Sequence, residues 1–148
     1  MSEVPRYRPG KAFVEGLAAA LPEAFAGRDL QQDYGYGLQY PEPWHPPDYD
    51  GWLGTIALCD AVIWLGGHAV TYEAGRYVVD GADGEKYLRA FFGYIESVVE
   101  DGADYPGIHW IDSELFDGLP WTEGVLECVG PLTLGRLRLW QNRYKPKP

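Results

Sequence analysis

Apolar positions fall at helical spacing near the start of the chain. Phe13, Leu17, Leu21 and Phe25 recur every four residues, with Val14 and Ala18 beside them. That pattern predicts a helix over 11–25. Pro22 interrupts its last turn or opens a second short helix. The rhythm then changes. Tyr34, Tyr36, Leu38 and Tyr40 alternate with Gly35, Gly37 and Gln39. A period of two predicts a short strand or extended segment, which the glycines weaken. Pro41, Pro43, Pro46 and Pro47 fix an irregular loop that cannot join a sheet interior.

Residues 52–65 admit two readings. Leu53, Ile56, Ala57, Ala61 and Trp64 fit one helical stripe, with Asp50 as the N-cap and Gly66 near the C-terminus. The same run fits a buried strand pair broken near Asp60, and periodicity alone does not separate the two. Beyond it, His68–Glu73 and Arg76–Val79 flank Ala74-Gly75 and predict a β-hairpin. Asp80-Gly81 and Asp83-Gly84 end that hairpin. Residues 85–100 carry a broad apolar stripe of Tyr87, Leu88, Phe91, Phe92, Ile95, Val98 and Val99. They predict a helix capped by Asp83 and stopped by Gly102.

Three further segments, 108–111, 124–129 and 132–140, read as strands. In the last, Leu132 and Leu134 sit at even positions while Leu137 and Leu139 sit at odd ones. A strand would need a bulge at Gly135 to switch faces that way. The order of elements predicts an α+β fold: one domain over 1–148, with an antiparallel sheet and two main helices packed on it. Residues 142–148 are expected to fray.

The length, 148 residues, suits a single core that buries roughly 68–70% of the unfolded surface without staples. Acids outnumber bases 22 to 12, for a net charge of −10. Such a charge repels a phosphate backbone and an anionic leaflet, so neither direct nucleic-acid binding nor membrane binding is expected. The most apolar run, 55–67, is interrupted by Asp60 and falls short of the ~20 residues that span a bilayer. No apolar stretch follows the basic residues of the N-terminus as a secretory signal requires. Cys59 and Cys128 make no disulfide framework, and each sits in an apolar stretch where a free thiol packs as a small hydrophobe. These features point to the reducing cytoplasm.

Charge is segregated along the chain. Between Asp29 and Gly75 there are seven acids and no Lys or Arg; between Ala90 and Gly135 there are nine and again none. The last thirteen residues hold five bases, Arg136, Arg138, Arg143, Lys145 and Lys147, and no acid. Solvated acidic loops partly neutralised by a basic end would account for this. An acidic face held ready for a basic partner would also account for it, since summed charge raises association rates.

The familiar catalytic signatures are missing. The chain has no Gly-Lys-Ser/Thr phosphate loop, no GxGxxG, no GxSxG elbow, no CxxC and no HExxH. No cofactor is expected. Three weaker constellations remain. His109, Asp112, Glu114 and Asp117 could hold a divalent cation or act as acid and base, although on a strand His109 and Asp112 face opposite ways. A polar turn is the plainer account. Trp44-His45 lies in the proline-rich loop beside Asp48, Tyr49 and Asp50, as a pocket wall, an epitope or ordered surface. Glu127 beside Cys128 argues for an inert thiol, because a nucleophilic Cys needs a positive neighbourhood. Asp60, alone in an apolar run, must be hydrogen-bonded or paired, with Arg76 or Arg138 as the expected partner.

Two function classes follow. The first is a cytoplasmic binding module that docks onto a basic protein, such as a nuclease or toxin, and blocks it. Its composition is that of small acidic inhibitors, immunity proteins and antitoxins. The expected surface is Asp33, Tyr34, Tyr36, Tyr40, Trp44, Asp48, Tyr49 and Asp50, since Tyr and Trp are favoured in interface cores. The second is a small enzyme or ligand-binding protein whose pocket uses His45, His109 and a carboxylate. A structural subunit of a larger assembly is the remaining alternative.

Overall fold

The computed structural model describes residues 10–39, 50–101 and 111–144. Helix α1 spans Gly10–Ala20, and its stripe of Phe13, Val14 and Leu17 is buried. Pro22 does open a separate element, a 3-10 turn over Pro22–Phe25. It accepts the proline at its first position, where an N–H would have no helical partner.

The segment expected to be a strand from Tyr34 is helical instead. Helix α2 runs over Leu30–Tyr34, and a 3-10 turn follows over Gly37–Gln39. The Asp29 carboxylate accepts the Gln32 N–H at 3.1 Å and caps α2. Gly35 ends it by donating to the Gln31 carbonyl. Helix α2 therefore ends where the alternation begins, and residues 35–39 form a bend and a 3-10 turn in place of a strand. Tyr40 and the proline loop lie outside the described residues.

Residues 52–65 take the helical alternative, as α3 over Gly54–His68. Asp50 does not cap it, since Leu53 holds that position. The Asp50 carboxylate accepts instead from Lys11 N at 3.0 Å and Trp52 N at 3.1 Å, tying the start of α1 to the approach of α3. The hairpin forms as expected: β1, Val70–Glu73, pairs antiparallel with β2, Arg76–Val79, in the register Tyr72 opposite Tyr77. Ala74 and Gly75 turn it with φ of 51° and 83°, the left-handed pair that a two-residue hairpin loop demands.

Helix α4 covers Gly81–Glu100 and starts earlier than the apolar stripe implied. Asp80 precedes it without a side-chain cap bond, and Asp83 lies inside the first turn rather than capping. Glycine is required at position 84, because a Cβ there would come within 2.5 Å of the Ala69 carbonyl oxygen. Gly102 and residues 108–110 lie outside the described residues. Ile111–Leu115 form a π-helical turn, closed by Phe116 N donating to Ile111 O at 3.1 Å.

The last two expected strands are helices. Within 124–129 the chain forms α5, Glu123–Leu126, and 132–140 lies in α6, Pro131–Tyr144. The face switch at Gly135 is helical periodicity, not a bulge. Thr133 and Leu137 are fully buried and Trp140 packs against the core, while Leu132 and Leu139 point outward. Helix α6 continues through residues 142–144, where fraying was expected.

The chain is thus α+β, with strands confined among the described residues to one hairpin. Helix α1 packs on α3 and α4, α4 packs on α6, and the π-helical turn seats against α3. Phe13, Leu17, Leu58, Leu65, Leu88, Phe91, Phe92 and Ile95 meet at the centre with no exposure above 1%. No described helix is long and apolar enough to cross a membrane.

Candidate functional site

The expected docking residues separate once folded. Tyr34 is 1% exposed, so no partner can reach its ring. It packs edge-on against Phe25, with centroids 5.9 Å apart. Its hydroxyl donates to Asp60 Oδ2 at 2.7 Å and accepts from Arg28 Nη1 at 3.0 Å. Arg28 also bonds Asp60 at 3.1 Å. The solitary carboxylate of α3 is therefore paired with Arg28, not with Arg76 or Arg138. Burial, reinforced by the neighbouring Asp60 carboxylate, pushes the Tyr34 phenol well above its ordinary range and keeps it protonated. Asp50 is held by the two backbone N–H groups already described. Tyr40, Trp44, Asp48 and Tyr49 lie outside the described residues, as do His45 and His109.

Asp33 and Tyr36 remain at the surface. Asp33 is partly exposed on α2 and has no ion-pair partner among the described residues. Tyr36 is 37% exposed just after α2. It lines an open depression of about 380 Å³ with Asp29, Gln31, Gln32, Gly35 and Gln39. Both ends of α2 and the following 3-10 turn build this depression. Asp29 presents one oxygen to the helix cap, and no other described hydrogen bond engages the carboxylate. Arg28, next in sequence, is turned to Asp60 instead. Leu38, in the 3-10 turn, is 62% exposed.

Sequence reasoning missed Asp29, Gln31, Gln32 and Gln39. The signal was available: Asp29 three residues before Gln32 is a cap pattern. It was masked by the alternating tyrosines downstream.

Two carboxylates of the second acidic stretch are drawn into the fold, while Glu100, Asp101, Asp117, Glu123 and Glu127 are exposed. Asp112 pairs with Arg136 at 2.6 Å, tying the π-helical turn to α6. Glu96, on α4, accepts from Leu132 N at 2.9 Å, Thr133 N at 2.8 Å and Thr133 Oγ1 at 2.8 Å. Burial alone would raise the Glu96 carboxyl, but these three bonds outweigh it and hold the group below the usual carboxylate value. A Cβ at Gly130 would collide with that carboxylate, so a larger residue there would push the Glu96 side chain from its place.

Both thiols are free. Burial pushes Cys128 upward, partly opposed by Arg89 and aided by Glu85 and Glu127. Burial also raises Cys59, with Glu114 and Asp60 adding to the effect. Neither thiol is poised as a thiolate at neutral pH. Asp117 is exposed, and no three described His, Cys, Asp or Glu residues converge as metal ligands.

A second open depression, about 280 Å³, lies between β2 and α5 and is lined by Arg76 to Val79 and Thr122 to Gly124. Compared with known protein families, curated proteins and solved structures, the chain matches none.

Proposed function

We propose that this chain is an acidic cytoplasmic binding protein that docks onto a basic protein, such as a nuclease or toxin, and inhibits it. One observation supports this reading above the rest. The longest cation-free run, residues 29–75, opens to the surface at the α2 depression, which Asp29 and Tyr36 line together with three glutamines. A partly exposed tyrosine beside one carboxylate and three amides gives a partner contact area and hydrogen-bond acceptors. The net charge of −10 supplies long-range attraction that speeds encounter with a cationic surface.

The test begins with affinity capture by the full chain from its native host and identification of what it holds. The reconstituted pair is then titrated at low and high salt. The expected partner is a basic protein whose own activity falls on binding, with affinity weakening by roughly tenfold or more as salt rises. Affinity that does not respond to salt, or an acidic partner, contradicts the proposal.

A further inference from the structure

We infer that the α2 depression is a seat for an arginine side chain of the partner. This rests on the docking proposal and gives it a specific chemistry. The depression offers planar acceptors: the Asp29 carboxylate, with only one oxygen committed to the cap, and the side-chain amides of Gln31, Gln32 and Gln39. Tyr36 adds an aromatic ring that is 37% exposed. A guanidinium matches this set better than an ammonium does. It is planar, donates along a fork to sp² oxygens and stacks on aromatic faces. An ammonium is a compact, strongly hydrated charge with no plane to stack.

Among the described residues no Lys or Arg lines the depression. Arg28 is engaged by Tyr34 and Asp60, and Lys11 lies over the Trp52 ring. Gly35 also lines the depression, and its backbone packs closely there: a Cβ would come within 2.6 Å of the Gln31 carbonyl oxygen and 3.2 Å of the Trp52 ring.

The probes are a short oligoarginine peptide and an oligolysine peptide of equal length, titrated calorimetrically into the full chain. Asp29→Asn removes the charge while asparagine still caps α2. Tyr36→Ala removes the ring. Glu23→Gln removes one charge from the exposed 3-10 turn before α2 and serves as the control. Melting temperatures close to the parent establish that each variant is folded.

Oligoarginine is expected to bind roughly threefold to tenfold more tightly than oligolysine. Asp29→Asn and Tyr36→Ala should each weaken it and erase the preference, whereas Glu23→Gln should leave the preference intact. Equal affinity for both peptides, with Asp29→Asn and Glu23→Gln weakening both alike, overturns the seat but leaves the docking proposal standing. An arginine preference unaffected by Asp29→Asn and Tyr36→Ala also overturns the seat. No binding of either peptide by the folded parent chain counts against both.

Discussion

Two carboxylates stand at helix starts in this molecule and do different work. Glu96 reaches from α4 across 36 residues of sequence to the first turn of α6, and both of its oxygens accept bonds there. Asp29 caps only its own neighbour, α2, and commits one oxygen. The Glu96 contact joins two long helices around the core, so its loss opens a tertiary junction. The Asp29 contact is local, on the rim of an open depression. A carboxylate fully satisfied inside the fold is structural, whereas one half satisfied at the surface is available to a partner.

The contrast can be broken most forcefully at Glu96. Glu96→Ala leaves the Leu132 and Thr133 N–H groups and the Thr133 hydroxyl without their acceptor, and should cost about 2 kcal/mol in chemical denaturation. An unchanged midpoint would remove the distinction. Acid adds a second handle on the same side chain. The folded Glu96 carboxyl lies below its ordinary value. Its contribution is therefore complete above the unfolded value and disappears as pH falls through the lower folded one. The stability gap between the parent chain and Glu96→Gln should shrink on acidification. A gap that widens in acid would show that the charge plays another part.

A smaller effect is expected at Tyr34, buried at the end of α2. Tyr34→Phe keeps the buried ring and removes the hydroxyl between Arg28 and Asp60. Because Arg28 still pairs with Asp60, the loss should be about 1 kcal/mol by denaturant titration. A loss as large as that of Glu96→Ala would mean that the Arg28–Asp60 pair depends on the phenol. The smallest change in stability belongs to Asp29→Asn, which should stay within about 0.5 kcal/mol because asparagine caps equally well. A large loss in its melting curve would make Asp29 structural like Glu96 and dissolve the comparison.

The core was legible from the sequence where the apolar stripe was long. Residues 85–100 carried seven apolar positions on one face, and α4 forms there; the spacing of Phe13, Val14 and Leu17 located α1 in the same way. Short segments were misread because their side-chain pattern fits both periods. Leu132, Leu134, Leu137 and Leu139 look like a strand with a slip until Thr133 and Leu137 are seen to share an inward helical face. Thr133 is polar, so a hydrophobic pattern skips it, yet its hydroxyl meets Glu96 and it is fully buried. That long-range bond leaves no local trace in the sequence.

The proposed docking surface was only partly legible. Its acidity and its tyrosines were visible, but Tyr34 and Tyr36 are two residues apart and were assigned one role. The helical turn sends the first into the core and leaves the second at the surface. The amides of Gln31, Gln32 and Gln39 gained significance only when α2 and its following turn brought them around one hollow.

The most direct test of the account is hydrogen–deuterium exchange of the chain alone and in complex with its captured basic partner. The account predicts new protection concentrated over residues 29–39, with little change across α6. Protection over residues 131–144 and none over 29–39 would contradict it.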